Sequence, residues 1–447
     1  MNNKRLNLGV GAIAPLLFKM SLPAMTANVV VAFYNLLDVF WLSRIGPKAV
    51  AALTVCFPIQ ILLAAIGIGT GVGAASFASR MFGAGQTAAA EKVAGQTIFL
   101  SVVLGLTVLL PVEIFTEPIL RLFGATDDIL PLCMSYLTTY ILCAPFMFLA
   151  MMGNNVLRAE GNPNLSMFAI FILAGTGAVL DPLLIFGMGP FPELGIKGAG
   201  YAAVCAYFLS AFLSFMFFRS NLSGYVISWQ NLIPDVAIIR SVYRVGLPAF
   251  IMNLSISIVI TVYNHVLGGF GADAVATFGI IFRLNGIVIF VLFGIGHGVL
   301  PLVGFNYGAC LYERLRETVR TAVKWSAAGA AISILAAVVF TEPIISLFTN
   351  DENLLAAAVP AMRIYVTALI FLGPAIVVIN MFNGLGMGFT ATSLLFVRDF
   401  FVLIPFLVFV APPFGLNAVW LAHPLSNLFL LVISWFWTRM LFRKLVY

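Results

Sequence analysis

Residues 23–41 read PAMTANVVVAFYNLLDVFW. Asp38 is the only charged residue in this otherwise apolar run. An ionised carboxylate in hydrocarbon costs a few kcal/mol or more, so such a residue usually faces a protein interior or a water-filled cavity. At ~100° per residue, Asn28, Asn35 and Asp38 fall within roughly an 80° arc, and Tyr34 extends it. The polar groups therefore form one stripe that ends in a titratable group. Pro23 lies below the stripe, removes a backbone donor and predicts a bend.

Working outward, the whole chain shares this character. Of 447 residues, 62% are hydrophobic and 9% charged, and mean hydropathy is +1.08. Soluble domains carry about 25% charged residues, so the sequence predicts a polytopic membrane protein. The net charge of +6 is distributed topologically and is not a nucleic-acid signal. Cys56, Cys133, Cys143, Cys205 and Cys310 are widely scattered, which predicts neither a C-x-x-C site nor a disulfide framework. The N-terminal segment reads as an uncleaved first span.

Spanning ~30 Å of hydrocarbon takes about 20 apolar residues. Twelve runs qualify, at 14–44, 48–81, 94–115, 128–158, 165–188, 195–219, 235–268, 272–304, 318–340, 353–388, 390–411 and 414–438. One set of connections holds Lys4, Arg5, Arg80, Lys92, Arg158, Arg219, Arg240, Arg244, Arg314, Arg316, Arg320, Lys324, Arg439, Arg443 and Lys444. The alternating set holds only Arg44, Lys48, Arg121 and Lys197, with much of the acid. The excess of basic residues marks the cytoplasmic side, and both termini fall there.

The chain also repeats. Ser21-Leu22-Pro23-Ala24 recurs as Gly246-Leu247-Pro248-Ala249, and the Gly46 turn recurs at Gly271. Gly67-Ile68-Gly69-Thr70-Gly71-Val72 recurs as Gly294-Ile295-Gly296-His297-Gly298-Val299, and Phe115-Thr116-Glu117-Pro118-Ile119 recurs as Phe340-Thr341-Glu342-Pro343-Ile344. The offsets are 225, 225, 227 and 225, which indicates a duplicated six-helix unit. Six spans per copy make the repeats parallel, as in transporters that alternate access between two bundles. The expected division is a first lobe at 1–219, a cytoplasmic linker at 220–234 and a second lobe at 235–447.

With these features the chain resembles the multidrug and toxic compound extrusion family. The resemblance rests on the proline-then-acid pattern of the first helix, on GIGTGVGAASFASRMFGAG (67–85) and on Leu157-Arg158-Ala159-Glu160-Gly161-Asn162. It rests also on Leu180-Asp181-Pro182 and on Pro301 to Ala309. It implies an all-α integral membrane protein, with twelve transmembrane helices in two pseudo-symmetric six-helix lobes around a central cavity. It further implies export of amphipathic, often cationic compounds, driven by inward flow of H+ or Na+. The expected setting is a prokaryotic cell (inner) membrane, with the lipid bilayer and small organic substrates as partners and a monomeric chain.

The acids lie in the first lobe, and the repeat partners of Asp38 and Asp181 keep none. This is similar to the DinF branch rather than the NorM branch. Matching its polar cluster residue by residue assigns cation coupling to Tyr34, Asp38, Asn154 and Asp181. Gly177 stands where an Asn is common and Ala203 where a Thr is common, so both lose an oxygen ligand. A metal cation needs several oxygens at once and a proton needs one carboxylate, so the losses favour H+ over Na+. Two nearby carboxylates would titrate as a coupled pair.

Other features have competing readings. Asn28 and Asn35 on the first helix, Asn253, Ser257 and Asn264 on the seventh and Arg283 on the eighth are candidate cavity residues. The alternatives are interhelical hydrogen bonding for the amides and hydroxyls and snorkelling for Arg283 and Arg363. Arg398 and Asp399 are adjacent, which predicts that they point apart and need separate partners. Phe33, Met25, Met147 and Phe148 are candidates for touching a hydrophobic substrate. His265, His297 and His423 lack ligand-like spacing, so no metal site or cofactor is expected. No phosphate loop or nucleophile–base constellation appears, so the chain does not read as an enzyme. A flippase of the lipid-linked-oligosaccharide type is the nearest rival and requires inward-pointing Arg283 and Arg363.

Overall fold

The computed structural model describes residues 6–346, 348 and 351–445, with the side chains of 272 and 353 excepted. Lys4 and Arg5, used above for orientation, lie outside the described residues. The first half of the chain forms α1 (Ile13–Ile45), α2 (Pro47–Gly83), α3 (Thr87–Ile114), α4 (Thr116–Leu122), α5 (Leu130–Ile141), α6 (Ala144–Ala159), α7 (Pro163–Phe186) and α8 (Ile196–Arg219). The second forms α9 (Val236–Gly268), α10 (Ala272–Gly308), α11 (Tyr312–Val339), α12 (Thr341–Ser346), α13 (Glu352–Tyr365), α14 (Leu369–Gly384), α15 (Gly388–Phe396) and α16 (Leu416–Leu445). Among the described residues, eleven helical segments are long and apolar enough to cross a membrane, and the α5–α6 pair makes a twelfth. The chain is a multi-pass membrane protein.

The spans differ from the sequence limits where hydropathy and helix formation diverge. α3 and α11 begin about two turns early, at Thr87 and Tyr312, because charged residues within their first two turns, Glu91 and Lys92 in α3 and Glu313 to Glu317 in α11, lower the hydropathy without preventing helix formation. The single run expected at 128–158 breaks between α5 and α6, which meet at 52°. Pro145 in the first turn of α6 lacks the N–H that would continue α5. Pro23, by contrast, sits inside an unbroken α1. The duplication survives in detail: the two Phe-Thr-Glu-Pro-Ile copies form the short helices α4 and α12. Gly46 and Gly271 adopt φ of 142° and 109° before α2 and α10, a backbone region that favours glycine. Cys56, Cys133 and Cys143 are buried, whereas Cys205 and Cys310 are exposed.

The chain forms two compact units, and they exchange segments relative to the linear division. Unit 1 comprises residues 1–7 and 26–250, and unit 2 comprises 8–25 and 251–447. The start of α1 thus belongs with the second repeat, and the start of α9 with the first. In each helix the change falls two residues beyond its proline, Pro23 or Pro248. The glycine runs explain the exchange. A Cβ on Gly69 would lie 2.7 Å from the Gly246 carbonyl oxygen, and one on Gly73 would lie 2.2 Å from that of Val242. The alternate glycines of this α2 run, Gly67 and Gly71, press instead on Met151 and Asn155 of α6. In unit 2, a Cβ on Gly294 would meet Met25, and one on Gly298 would lie 2.3 Å from Ser21 Oγ. Each run is therefore the seat of the exchanged segment, at distances only glycine allows.

The connection at 220–234 is strapped to unit 1. Tyr225 is buried, donates its hydroxyl to the Val156 carbonyl at 2.8 Å and packs on Phe82 and Phe218. Glu160 Oε2 accepts from Gly224 N at 2.5 Å, and Asn162 Nδ2 donates to Leu222 O at 3.0 Å. Further on, Gln96 Nε2 donates to the carbonyls of Asn231 and Ile233, and Gln96 Oε1 accepts from Asp235 N. Asp235 caps α9 through the amides of Ala237 and Ile238 and pairs with Lys92 at 3.0 Å.

Two expectations follow. Gly73→Ala, pressed against backbone, should cost about 1–3 kcal/mol and lower the thermal midpoint, whereas Gly329→Ala, with nothing within 4 Å, should be neutral or mildly stabilising. The hydrogen bond from Lys92 holds the Asp235 carboxyl below its ordinary value of 3.8. Its anchoring contribution is then fully present above that value and fades as the pH falls further and the folded state protonates. The midpoint difference between wild type and Asp235→Asn should be constant at neutral pH and shrink below about pH 4.

Candidate functional site

Asp181 is the most deeply placed acid of unit 1. It sits on α7 beside Pro182 with 0% exposure, and among the described residues neither carboxyl oxygen has a hydrogen-bond partner. Nearly all buried polar atoms find partners, so this carboxyl is an exception. Asp38 on α1 is half-buried and close enough for the two carboxyls to interact through their charges. Tyr34, one turn before Asp38, feels both.

The packing of Tyr34 explains the departure at Gly177. A Cβ on Gly177 would lie 2.4 Å from Tyr34 Cε2 and 2.6 Å from its Oη. The tyrosine ring occupies the space that an asparagine side chain would take. Position 177 has not simply lost an oxygen, because the Tyr34 hydroxyl stands in its place. Ala203 is buried on α8, and its methyl offers no oxygen.

A tyrosine shell surrounds this pair, and the sequence reading overlooked it. Tyr136 and Tyr140 on α5, one turn apart and both buried, stack at 5.6 Å. Tyr136 accepts a hydrogen bond from Gln60 Nε2 at 2.5 Å, and Tyr140 Oη points at Met147 Sδ, 3.9 Å away. Tyr136 and Tyr207 both lie within reach of the Asp38 charge. Two tyrosines at i and i+4 in an apolar run were the available signal. Asn154 on α6 is buried with an unpartnered Oδ1. Among the described residues, no hydrogen bond joins it to Asp38 or Asp181.

The remaining candidates divide between the units. In unit 1, Asn28 is half-buried and Asn35 exposed. Phe33 is exposed, but Met147 and Phe148 are sealed in the core of unit 1 at 1% and 0% exposure, which removes them as substrate contacts. In unit 2, Asn253 is half-buried, while Ser257, Thr261, Asn264, Arg283 and Arg363 are exposed. The Thr261 hydroxyl is turned back onto the Ser257 carbonyl at 2.9 Å. Met25 lines an apolar crevice of about 410 Å³ with Phe18 and Trp325.

The expectation that Arg398 and Asp399 point apart is overturned. Arg398 Nε donates to Asp399 Oδ1 at 2.8 Å and Nη1 to Asn427 Oδ1 at 3.0 Å. Both members of the pair are buried. The segment 397–403 is π-helical, and the long arginine side chain reaches across to the carboxyl of the next residue. Nearby, His423 stacks on Tyr365 at 4.5 Å. Unit 2 thus holds a closed ion pair, whereas unit 1 holds a carboxyl without a partner. Among the described residues, no three His, Cys, Asp or Glu side chains form a metal-holding group.

The model of the MatE family matches residues 23–183 and 248–409, once in each half and over well more than half of the chain. The chain belongs to the MatE family. Its members are membrane transporters, not enzymes, and the family is one of multidrug efflux transporters. It is 27% identical over 352 residues to the "FAD transporter" of Shewanella oneidensis, covering 77% of this chain and 76% of that one. It is 26% identical over 400 residues to "Multidrug export protein MepA" of Staphylococcus aureus, covering 89% and 87%. A crystal structure of a MATE protein in the straight conformation superposes with a TM-score of 0.93 at 26% identity, covering 100% and 99%. The MatE match begins at Pro23 and Pro248, the prolines beside which each helix changes unit.

Gly177 provides a test of the Tyr34 packing. Gly177→Asn alone should displace the ring and lower both thermal midpoint and transport. In the Tyr34→Ala background the same change should be tolerated, restoring the midpoint by more than half in a thermal-shift assay.

Proposed function

We propose that this MatE-family chain exports amphipathic organic compounds by antiport with H+, through Asp38 and Asp181. The observation that carries the reading is the fully buried Asp181 carboxyl without a hydrogen-bond partner, within electrostatic range of Asp38. A carboxylate in such surroundings is penalised by its charge, and binding a proton removes that charge. With two carboxyls coupled, loading of the pair sets the charge that the first unit must hold. Tyr34, packed on Gly177, is the group that would report the change, and Asn154 supplies a further buried oxygen. Each proton entering the cell contributes about 2.3 kcal/mol per 100 mV and about 1.4 kcal/mol per pH unit. That suffices to shift a two-state equilibrium of a few kcal/mol.

The Pro23 position gives the change a place to act, because proline removes one helical hydrogen bond of α1 beside the point where the helix passes between units. We assign the basic connections to the cytoplasmic side of a prokaryotic cell membrane, with both termini inside and the chain acting as a monomer. The multidrug exporter and the FAD transporter among its relatives support an organic substrate of adaptable chemistry.

Proteoliposomes loaded with a cationic dye test the reading. A pH gradient alone should drive efflux, and Asp38→Asn and Asp181→Asn should each abolish it. Asp181→Asn should change the thermal midpoint by only a few degrees, because the carboxyl it replaces makes no hydrogen bond. Efflux that requires Na+ would overturn the ion assignment, and a fully active Asp38→Asn would overturn the coupling role.

A further inference from the structure

One end of unit 2 carries a cleft that the transport reading does not use. It encloses about 740 Å³ between the first turns of α11, the last turns of α16 and the middle of α14. Arg316 and Arg320 from α11 and Arg439 and Arg443 from α16 stand around it, with Trp435 and Phe442. Both arginine pairs are spaced i, i+4, so each pair shares a helix face. Arg316 lies over the Phe442 ring at 5.8 Å and Arg439 over the Trp435 ring at 5.1 Å.

Among the described residues, no carboxylate lines the cleft. Among the described residues, none of the four guanidiniums forms an ion pair. Glu313 and Glu317, the acids nearest in sequence on α11, are exposed and pair with none of them. Four like charges around one opening repel one another unless something anionic enters. Below the arginines the walls turn apolar, with valines of α11 and α14 and Leu431 of α16. Charge at the mouth, aliphatic walls beneath and a tryptophan at the boundary match the layering of a lipid at a membrane surface.

We infer that this cleft binds an anionic phospholipid, with its phosphate held among Arg316, Arg320, Arg439 and Arg443 and an acyl chain laid along the apolar walls. Guanidiniums suit the role because they take phosphate oxygens in pairs and keep their charge at any relevant pH. Phosphatidylglycerol and cardiolipin have this chemistry, and a zwitterionic lipid would bring its own cation into the arginine cluster.

The test uses the full chain in mixed micelles, titrated with phosphatidylglycerol carrying brominated acyl chains; because the chain has six tryptophans, the signal read is the part of the quenching that Trp435→Phe removes. Wild type should saturate with phosphatidylglycerol and bind phosphatidylcholine at least tenfold more weakly. Arg316→Gln/Arg439→Gln should weaken binding roughly tenfold or more, and Arg316→Lys/Arg439→Lys should recover most of it. Inorganic phosphate at the lipid's concentration should not compete. Equal quenching of wild type and the glutamine variant would overturn the proposal. So would equal binding of phosphatidylcholine, or displacement by inorganic phosphate, which would make the site one for a free anion. If the first glutamine pair does not fold, the exposed pair Arg320→Gln/Arg443→Gln is read by the same criteria.

Discussion

Close helix approach through glycine is the constraint on which the rest of this structure depends. Lipid tails are as apolar as the side chains they touch, so helices in a membrane associate through packing and not through expulsion of water. Gly69 and Gly73 bring the start of α9 against α2, and Gly294 and Gly298 bring the start of α1 against α10. The contact between α2 and α9 is backbone to backbone at positions 69, 73, 242 and 246. Moving either helix out by one methyl group would forfeit the dispersion contacts that hold it. The exchange of helix halves between repeats is thus the direct consequence of two glycine runs at equivalent places.

The same duplication has been used asymmetrically. Unit 1 keeps Asp181 buried without a partner beside Asp38, surrounded by tyrosines of α1, α5 and α8. Unit 2 keeps its buried acid, Asp399, locked to Arg398 and, through it, to Asn427. A buried carboxyl without a hydrogen-bond partner is penalised when charged, whereas a paired carboxylate is stabilised by the charge opposite. The two units therefore differ in electrostatic closure although their sequences repeat.

Several motifs behind the family resemblance turn out to be structural. The Leu157-to-Asn162 stretch uses Glu160 and Asn162 to tie the strap at 222–224 and Gly161 to accept from Leu6 N at 3.1 Å. Lys92 and Gln96 at the start of α3 do the same for 231–235. Both sets of residues fasten the connection between the repeats. Neither set carries the coupling role proposed above for Asp38 and Asp181.

Membrane residence, the twelve crossings, the duplication and the two first-unit acids were legible in the sequence. Each follows from local composition or spacing: hydropathy over about 20 residues, a 225-residue offset, or a charge that hydrocarbon penalises. Tertiary structure alone decided which half of α1 and α9 joins which unit, since that depends on the partner each glycine face meets. It also decided that Tyr34 fills the room left by Gly177, and that Tyr136 and Tyr207 face Asp38 from other helices. The Arg398–Asp399 pair needed it as well, because the reach of a long arginine side chain to its neighbour's carboxyl is not set by the ~100° step of a helix. Periodicity describes one helix against an average surrounding, and these contacts depend on the particular neighbour.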